Sequence, residues 1–325
     1  MPPQDGKTKV VVLGTTTVDI LLSGMDRIPA VGGDEFTPES YAFLDAPIRF
    51  ALGGNGASSA CALARLGVPV ELCSAIGNDA LGALARGWLA EAGVGLRGLA
   101  QSGLRATAGT AIIQDRLRHR MSLHHPGASA EHTLAMFPQA LITGARALLV
   151  TGYHLLPGFR PEGLRVLLRG AHEAGALTFL DIGPVVPPVA GLTELAPLLP
   201  AVDYLVGNSY EIAAVLDAGS PEEGCGMLLD AGARAVLVKR GSGGAALVRR
   251  QGLLEAAAFP VEAASTIGAG DTFNAAFLCA LLDGIEPARA LRFANAASAL
   301  VVAAGRGALG CPERARVEQF LRERP

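Results

Sequence analysis

Short runs of apolar and β-branched residues alternate with longer amphipathic stretches along most of the chain. Six runs have the length and composition of buried strands: Lys9–Gly14, Val70–Ile76, Ala147–Gly152, Leu177–Asp181, Tyr204–Gly207 and Ala235–Lys239. Near-continuous apolar strands of this kind are typical of a parallel sheet that is covered on both faces. The pattern predicts an α/β fold with three layers, in which helices lie on both sides of a mostly parallel central sheet.

Helical periodicity fills the intervals between these strands. The predicted helices are Asn55–Leu66, Leu81–Glu91, Pro161–Ala174, Ser209–Asp217, Pro221–Ala231, Gly270–Asp283, Pro287–Ala304 and a last one near Pro312–Arg322. Many begin after Asn, Ser, Asp or Pro, and several end at a glycine, as helix caps do. Because no internal repeat or low-complexity linker interrupts the series, we expect one domain over residues 1–325.

Two segments depart from the strand and helix alternation. Residues 34–52 and 107–123, with approximate bounds, read as short strands with turns, too polar and irregular for a buried parallel sheet. We expect them to pair as a small antiparallel sheet, a lid that closes over a site and excludes water from it. A solvent-exposed hairpin that does not move explains the same pattern, and that alternative stays open.

Composition narrows the class of protein. Half of the residues are apolar, only 18% are charged, and 41 glycines supply turns, which indicates an ordered globular chain. The 27 Lys and Arg nearly balance the 30 Asp and Glu, and no stretch combines basic with aromatic residues, so nucleic acid is not an expected partner. No signal-peptide core or long apolar run is present, which predicts no membrane partner and a cytoplasmic location.

Cysteine usage agrees with a reducing compartment. The five cysteines, Cys61, Cys73, Cys225, Cys279 and Cys311, are far apart in the sequence, and none belongs to a CxxC pair. An odd number of scattered cysteines fits reduced thiols better than a disulfide framework. We therefore expect all five to be buried in the core.

The most informative segment is a turn of small residues that leads directly into a predicted helix. Apolar positions from Phe273 onward fall on one face of that helix, so Gly268, Ala269 and Gly270 lie at its N-terminus. Free backbone N–H groups and the positive end of the helix dipole form an anion site there. Asp271 follows in the first turn, where it either caps the helix or faces an incoming hydroxyl as a base.

Four segments resemble motifs of one enzyme family. Gly268-Ala269-Gly270-Asp271 resembles the C-terminal signature of the ribokinase-like, or PfkB, family of carbohydrate kinases. The other matches, in the family's order, are Gly53-Gly54-Asn55 after the loop from Gly14 to Asp19, then Asn208-Ser209-Tyr210-Glu211, then Lys239 to Ala245. The resemblance spans nearly the whole chain and implies a ribokinase-like fold that uses ATP as phosphoryl donor.

The resemblance also implies a place for the acceptor. Asp19, at the end of the loop after the first strand, and Gly53, Gly54 and Asn55 match positions that contact the sugar. Glycines let sugar hydroxyls approach the backbone, and the Asp and Asn side chains can hydrogen-bond those hydroxyls. A turn-stabilising Asp and a tight turn with Asn as helix N-cap are the structural alternatives.

Nucleotide and metal positions follow from the same family motifs. The resemblance implies that Lys239, Gly241, Gly244 and Asn295 contact ATP. Asn208 and Glu211 lie three residues apart, on one helix face, where their oxygens can meet Mg²⁺ through water. The same spacing fits a helix N-cap with a capping-box glutamate, so that reading also remains open.

Two positions differ from the family's usual pattern. Ser265 stands where the family usually has Asp, a residue that helps to hold a monovalent cation, so activation by K⁺ is in doubt. Ser58 follows the glycine signature where many members have Asn, so one sugar contact differs. The second departure makes the identity of the acceptor harder to predict.

Together these features predict ATP-dependent phosphorylation of a hydroxyl group on a small sugar such as ribose, fructose or ketodeoxygluconate. In this prediction Asp271 is the base, and the amides of residues 268–270 hold the transferring phosphoryl group. A nucleoside kinase of the same family and a non-catalytic sugar-binding protein are the alternatives. A homodimer is expected, because pairing two lids would cover their exposed strand edges.

Five arginines lie near the predicted lid: Arg49, Arg105, Arg116, Arg118 and Arg120. Either they bind a phosphate or carboxylate of the substrate, or they are solvated surface charges. The sequence favours the surface interpretation.

Overall fold

A computed structural model of the chain describes residues 9–28, 38, 43–117 and 119–324. Its strands are β1 (Lys9–Leu13), β2 (Thr17–Met25), β3 (Arg49–Gly53), β4 (Val70–Gly77), β5 (Gly95–Ser102), β6 (Ala108–Asp115), β7 (Arg120–His125), β8 (Ala145–Thr151), β9 (Leu177–Asp181), β10 (Tyr204–Asn208), β11 (Val236–Lys239), β12 (Ala245–Arg249) and β13 (Gly252–Ala256). All six predicted strands are confirmed, with ends shifted by two residues at most.

The helices also follow the prediction closely. They are α1 (Asn55–Arg65), α2 (Ala80–Glu91), α3 (Ala140–Thr143), α4 (Glu162–Glu173), α5 (Leu192–Leu195), α6 (Ser209–Leu216), α7 (Pro221–Asp230), α8 (Ala269–Leu282), α9 (Pro287–Ala304) and α10 (Arg314–Arg322). The short helices α3 and α5 were not predicted, because four residues carry too little periodicity to be recognised.

The larger sheet has nine strands in the described residues, in the order β13-β12-β11-β10-β9-β8-β1-β4-β5. The strands from β11 to β5 are parallel, and β12 and β13 add an antiparallel edge. Along β1, Val10 and Val12 pack into one apolar cluster, whereas Val11 and Leu13 pack into another. Because both faces of the sheet are buried under helices, the predicted three-layer architecture is confirmed.

The parallel strands end at one common edge of this sheet. That edge carries polar side chains on four successive strands: Thr151 on β8, Asp181 on β9, Asn208 on β10 and Lys239 on β11. In open α/β sheets the carboxyl ends of the strands are the usual place for a ligand. The fold therefore brings these side chains together although they are distant in sequence.

The smaller sheet has the order β3-β2-β6-β7 in the described residues. Strands β2 and β3 are antiparallel, as are β6 and β7, which agrees with the expected antiparallel sheet, whereas the central pair β2 and β6 is parallel. The expected loop ending at Asp19 was wrong, because Asp19 lies inside β2. In β2, Val18, Ile20 and Leu22 alternate along the sequence and form one face of the strand. This pattern was hard to recognise because small polar residues lie next to it.

The two faces of the smaller sheet differ in chemistry. Cross-strand register places Asp19, Leu21 and Arg49 on the face toward the larger sheet, and Ile20 and Phe50 on the opposite face. The predicted lid segment 34–52 lies outside the described residues for 34–37 and 39–42, and the segment 107–123 lies outside them at residue 118. That this sheet closes as a lid, and that the whole chain is one domain, stay predictions.

The cysteine prediction is confirmed. All five thiols are buried and unpaired, and burial raises the pKa of Cys225 and Cys279 to about 11. Within the described ranges, none of the helices combines the length and hydrophobicity that a bilayer crossing needs. The cytoplasmic location stays a prediction.

Candidate active site

The turn before α8 presents backbone amides toward the strand edge. Gly268 has φ of 77°, in the left-handed region, and a Cβ there would lie 3.2 Å from the Ala308 nitrogen. The Ala269 N–H already donates to the Thr266 carbonyl oxygen (3.3 Å). Within the part of the chain that the structure describes, the Gly268 and Gly270 N–H groups have no protein acceptor. Two of the three predicted amides are therefore open to an anion.

Asp271 and Asn55 meet across the site. The Asn55 Nδ2 donates to Asp271 Oδ1 over 3.2 Å, and the two residues come from the first turns of α1 and α8. Gly54, not Asn55, is the N-cap of α1, so the amide of Asn55 is not used for capping. The N-cap alternative for Asn55 is therefore wrong, whereas Asp271, the acidic residue in the first turn of α8, fits both of its interpretations.

Gly53 and Gly54 let strand β3 fit against Asp19. A Cβ on Gly53 would lie 2.3 Å from Asp19 Oδ2, and a Cβ on Gly54, where φ is 87°, would lie 2.5 Å from the Thr15 carbonyl oxygen. The Thr17 hydroxyl donates to Asp19 Oδ1 over 2.9 Å. The segment Gly53-Gly54-Asn55 thus contacts Asp19 at one end and Asp271 at the other. The structure brings all four predicted acceptor residues together.

A lysine ammonium lies beside residues 268–270, the turn before α8 that presents its backbone amides (the amide turn). Lys239 Nζ is 3.4 Å from Asp181 Oδ2, and a Cβ on Gly270 would lie 3.5 Å from the same nitrogen. Burial alone would lower the pKa of Lys239, but the carboxylates of Asp181, Glu211 and Asp271 outweigh that effect and raise it. Lys239 therefore keeps a positive charge next to the predicted anion site.

Asp181 is a site residue that the sequence analysis missed. Its side chain is almost fully buried, and Oδ2 accepts hydrogen bonds from Asn274 Nδ2 (2.6 Å) and the Thr151 hydroxyl (3.3 Å). Its position could have identified it, because Asp181 is the last residue of a predicted buried strand and ligands bind at that edge of the sheet. A carboxylate that ends an apolar strand needs such partners.

The environment of Asp271 changes its acid strength. Removal from bulk water is the main cause, and the negative charge of Asp181 adds to it, so the pKa of Asp271 rises to about 7. Lys239 and the Asn55 amide oppose this shift, and Glu211 adds to it. Because a base must be unprotonated, Asp271 can accept a proton above pH 7 and progressively less below it.

Replacing Asp181 with asparagine should move the acid limb of the pH–rate profile to lower pH, by roughly half to one unit. The change removes the negative charge that raises the pKa of Asp271 but keeps an oxygen for the Asn274 amide. Steady-state turnover between pH 5 and 9 measures the shift. Asp230→Asn, on an exposed ion pair with Arg250, is the control and should leave the profile in place. A limb that moves to higher pH would contradict the role given to Asp181.

Asn208 and Glu211 form a complete capping box at the start of α6. Glu211 N donates to Asn208 Oδ1 (2.8 Å), and Asn208 N donates to Glu211 Oε2 (2.7 Å). A Cβ on Gly183 would lie 2.0 Å from Glu211 Oε1, so a glycine is needed beside that oxygen. The described residues contain no cluster of three acidic, His or Cys side chains arranged for a metal. The capping-box alternative is therefore confirmed, and contact of these two residues with Mg²⁺ through water stays a prediction.

The predicted nucleotide residues lie on the turn after β11 and on α9. Gly241 and Gly244 have positive φ, and a Cβ on Gly244 would lie 2.1 Å from the Ala256 carbonyl oxygen. Asn295 Nδ2 donates to the Ala256 and Ala257 carbonyl oxygens (2.9 and 3.0 Å). The turn that contains Gly244 and the side chain of Asn295 both contact the end of β13. This place is on the same side of the amide turn as Lys239.

Ser265 lies at the start of the segment that leads into the amide turn. Its hydroxyl oxygen accepts a hydrogen bond from the Ile267 N–H over 3.3 Å. The hydroxyl thus serves the local backbone, and this position offers no carboxylate to a cation. Dependence on K⁺ stays doubtful.

Comparisons with known proteins give matches over nearly the whole chain. A model of the pfkB family of carbohydrate kinases matches residues 7–314. The chain is 32% identical to the ATP-dependent ribose-1-phosphate kinase of Halopiger xanaduensis, over 97% of this chain and 99% of that protein. It is 28% identical to the ribokinase of Bacillus subtilis, over 96% of this chain and 99% of that protein.

Solved structures agree on the fold. The structure of Arabidopsis thaliana ribokinase complexed with ribose and ATP matches with a TM-score of 0.82 and 24% identity, over 97% of this chain and 98% of that chain. The ribokinase of Thermotoga maritima matches with a TM-score of 0.78 and 25% identity, over 97% of this chain and 99% of that chain. Both the three-layer body and the smaller sheet are therefore shared with ribokinases.

Proposed function

Since this chain belongs to the pfkB family of carbohydrate kinases, we propose that it transfers the γ-phosphoryl group of ATP to a hydroxyl group of a small sugar. The observation that carries the proposal is the convergence of Asp271, with a pKa of about 7, on open amides and the Lys239 ammonium. Relatives named for ribose, ribose 1-phosphate and 5-dehydro-2-deoxygluconate support a sugar as acceptor.

The transfer step uses the groups at the N-terminus of α8. The acceptor hydroxyl gives its proton to the Asp271 carboxylate while its oxygen forms a bond to the γ-phosphorus. The bond from that phosphorus to the bridging oxygen breaks, and its electron pair leaves on ADP. The Gly268 and Gly270 amides and the Lys239 ammonium stabilise the charge on the transferring group.

In the proposal, the sugar and ATP bind to different groups of residues around Asp271. The sugar lies against Asp19 and the segment Gly53-Gly54-Asn55, beneath the smaller sheet. ATP lies along the turn that contains Gly241 and Gly244, with its base near Asn295 Oδ1. Mg²⁺ bound with the triphosphate would meet Asn208 and Glu211 through water and neutralise part of the phosphate charge.

Release of ADP in the presence of candidate acceptors tests the proposal. The panel contains ribose, fructose, ketodeoxygluconate, a purine nucleoside and no acceptor, each with ATP and Mg²⁺. Sugar-dependent ADP release supports the kinase, and release that depends only on the nucleoside would favour a nucleoside kinase. A sugar that raises the thermal midpoint without any ADP release would instead indicate a binding protein.

We also propose a homodimer in which the outer faces of two smaller sheets pack together. That face carries Ile48, Phe50, Met121 and Leu123, which are 54%, 50%, 39% and 57% exposed. Apolar side chains grouped on one exposed sheet face favour burial against a partner, and a second copy offers a self-complementary surface.

Leu123→Glu should convert the dimer to a monomer, because it places a charge in the middle of that apolar face. Sedimentation velocity on the wild type and the variant measures the change. Leu253→Glu is the matched control, since Leu253 is 51% exposed but lies on the edge strand β13 of the other sheet. A monomeric wild type, or a Leu123→Glu variant that stays dimeric, would overturn this interface.

A further inference from the structure

The chain that follows β9, residues 183–190 (the 183–190 segment), begins against two carboxylates on the ATP side of the proposed site. The Gly183 N–H donates to Asp181 Oδ1 over 3.3 Å. A Cβ on Gly183 would lie 2.0 Å from Glu211 Oε1, so the backbone itself is in contact with that side chain. Because both carboxylates lie against the backbone at Gly183, a shift of this segment would change the shape of the ATP side.

One histidine ring contacts the chain at both ends of this segment. His154 Nδ1 lies 2.7 Å from the Ile182 carbonyl oxygen, and the Ala190 N–H donates to His154 Nε2 over 3.1 Å. His154 follows β8, in the turn before α4, and its side chain is buried. The ring therefore bridges two backbone groups, and the first of them belongs to the residue next to Gly183.

These two hydrogen bonds require one form of the imidazole. A backbone N–H can only donate, so Nε2 is unprotonated, and Nδ1 carries the proton that is donated to the Ile182 carbonyl oxygen. Burial is the main cause that lowers the pKa of His154 and favours this neutral form, whereas the hydrogen bond to Ile182 opposes the shift. The charge of Arg160 also lowers this pKa, and that of Glu194 raises it. Both ring nitrogens are thus used to hold the backbone.

A salt bridge near His154 fixes the same segment at a second point. Arg160 Nη1 donates to the Pro188 carbonyl oxygen over 3.1 Å. Its Nε and Nη2 donate to the Glu194 carboxylate over 2.9 and 3.2 Å, and Glu194 Oε1 also accepts from the Tyr153 hydroxyl over 2.6 Å. Tyr153, His154 and Arg160 all come from the connection between β8 and α4. This connection therefore holds the 183–190 segment through several side chains.

We propose that His154 is a positioning residue for ATP, which holds the Ile182 carbonyl and so keeps Gly183 against Glu211 and Asp181. The inference rests on the proposed kinase function and adds a residue that lies outside the four sequence motifs. The acceptor residues lie on β2, β3 and α1, away from the backbone that His154 holds. Loss of the imidazole should therefore weaken the binding of ATP and leave the binding of the sugar unchanged.

Three substitutions separate the two hydrogen bonds of His154. His154→Phe keeps a ring and removes both bonds. The amide nitrogen of His154→Asn is as many bonds from the backbone as Nδ1 and can still donate to Ile182. The amide of His154→Gln corresponds instead to Nε2, so it keeps only the bond from Ala190.

The Michaelis constant for ATP should follow the bond to Ile182. His154→Phe and His154→Gln should raise the KM for ATP by roughly 5- to 20-fold and leave the KM for the sugar unchanged. Turnover should stay within about threefold of the wild type, because the loss falls on binding rather than on the transfer step. His154→Asn should retain a KM for ATP within about threefold of the wild-type value.

His132 provides a matched control. It is also a buried histidine, and its ring packs edge to face against Phe159 with 5.0 Å between the centroids. Neither of its ring nitrogens has a hydrogen-bond partner in the part of the chain that the structure describes. His132→Phe should consequently leave both Michaelis constants unchanged, which separates the role of His154 from the general effect of replacing a buried histidine.

Calorimetric binding of a non-hydrolysable ATP analogue with Mg²⁺ measures the role of His154 without turnover. His154→Phe and His154→Gln should bind the analogue roughly 5- to 20-fold more weakly than the wild type. If no acceptor turns over but these variants weaken binding of the analogue, the kinase proposal fails and the positioning role stands. Unchanged affinity for the analogue, an equal rise in the KM for ATP and sugar, or a His154→Asn variant as weak as His154→Phe would overturn it. If His154→Phe does not fold, His154→Gln decides.

Discussion

Asp271→Asn should lower turnover by roughly 10²- to 10⁴-fold, because an amide cannot accept the proton of the acceptor hydroxyl. Asparagine keeps the size of the side chain and an oxygen for the hydrogen bond from Asn55 Nδ2. The Michaelis constants for ATP and sugar should change much less than turnover, since the loss falls on the transfer step. Coupled measurement of ADP release at pH 8, where wild-type Asp271 is mostly ionised, checks the effect.

A measurement of folding stability distinguishes the loss of turnover in Asp271→Asn from a loss of folded protein. The pKa of Asp271 is raised from 3.8 to about 7 in the folded state, so this group lowers the free energy of unfolding as pH rises from about 4 to about 7, and its effect is constant above that. At pH 8 the asparagine variant should therefore have a thermal midpoint equal to or above that of the wild type. Asp283→Asn, which breaks a surface ion pair with Arg314, is the control and should retain full turnover. An Asp271→Asn enzyme with wild-type turnover would remove the proposed base.

Lys239→Gln should also lower turnover strongly, by roughly 10²- to 10³-fold, because it removes the positive charge beside the transferring phosphoryl group. The same change removes the cation that holds down the pKa of Asp271. The acid limb of the pH–rate profile should consequently move to higher pH, opposite to the direction expected for Asp181→Asn. Turnover between pH 6 and 10 measures both effects.

A surface arginine provides the control for the loss of charge at Lys239. Arg234→Gln removes a cation that pairs with Asp203 away from the amide turn, and it should leave turnover and the pH profile unchanged. If Lys239→Gln moved the acid limb to lower pH, the carboxylate cluster around Lys239 would not set the acidity of Asp271.

The fold and the central motifs were predictable from local patterns. Each buried strand is a short apolar run, and the helices between them carry caps and periodicity, so the three-layer arrangement follows from the sequence. Gly268, Gly270 and Asp271 were identified from the sequence because a glycine turn before a helix presents free N–H groups that bind anions. The residues that the motifs name do converge, with Asp271 contacting Asn55 over a separation of 216 residues.

What could not be predicted depends on contacts between distant segments. Asp181 and Asn274 are ordinary polar residues in the sequence, and only the fold places the Asn274 amide 2.6 Å from the Asp181 carboxylate. The parallel pairing of β2 with β6 likewise joins segments about 90 residues apart, which no local periodicity records. Arg49 reads as a solvated surface charge in the sequence, and only the fold places it on the wall of a cavity.

The most direct test follows the label from γ-³²P-ATP into the acceptor as a function of pH under single-turnover conditions. The rate of sugar labelling should rise through an apparent pKa near 7 in the wild type. In Asp271→Asn it should be low and nearly independent of pH. A wild-type rate that is flat between pH 5 and 9, or a variant that labels the sugar as fast as the wild type, would contradict the role of Asp271 as the base.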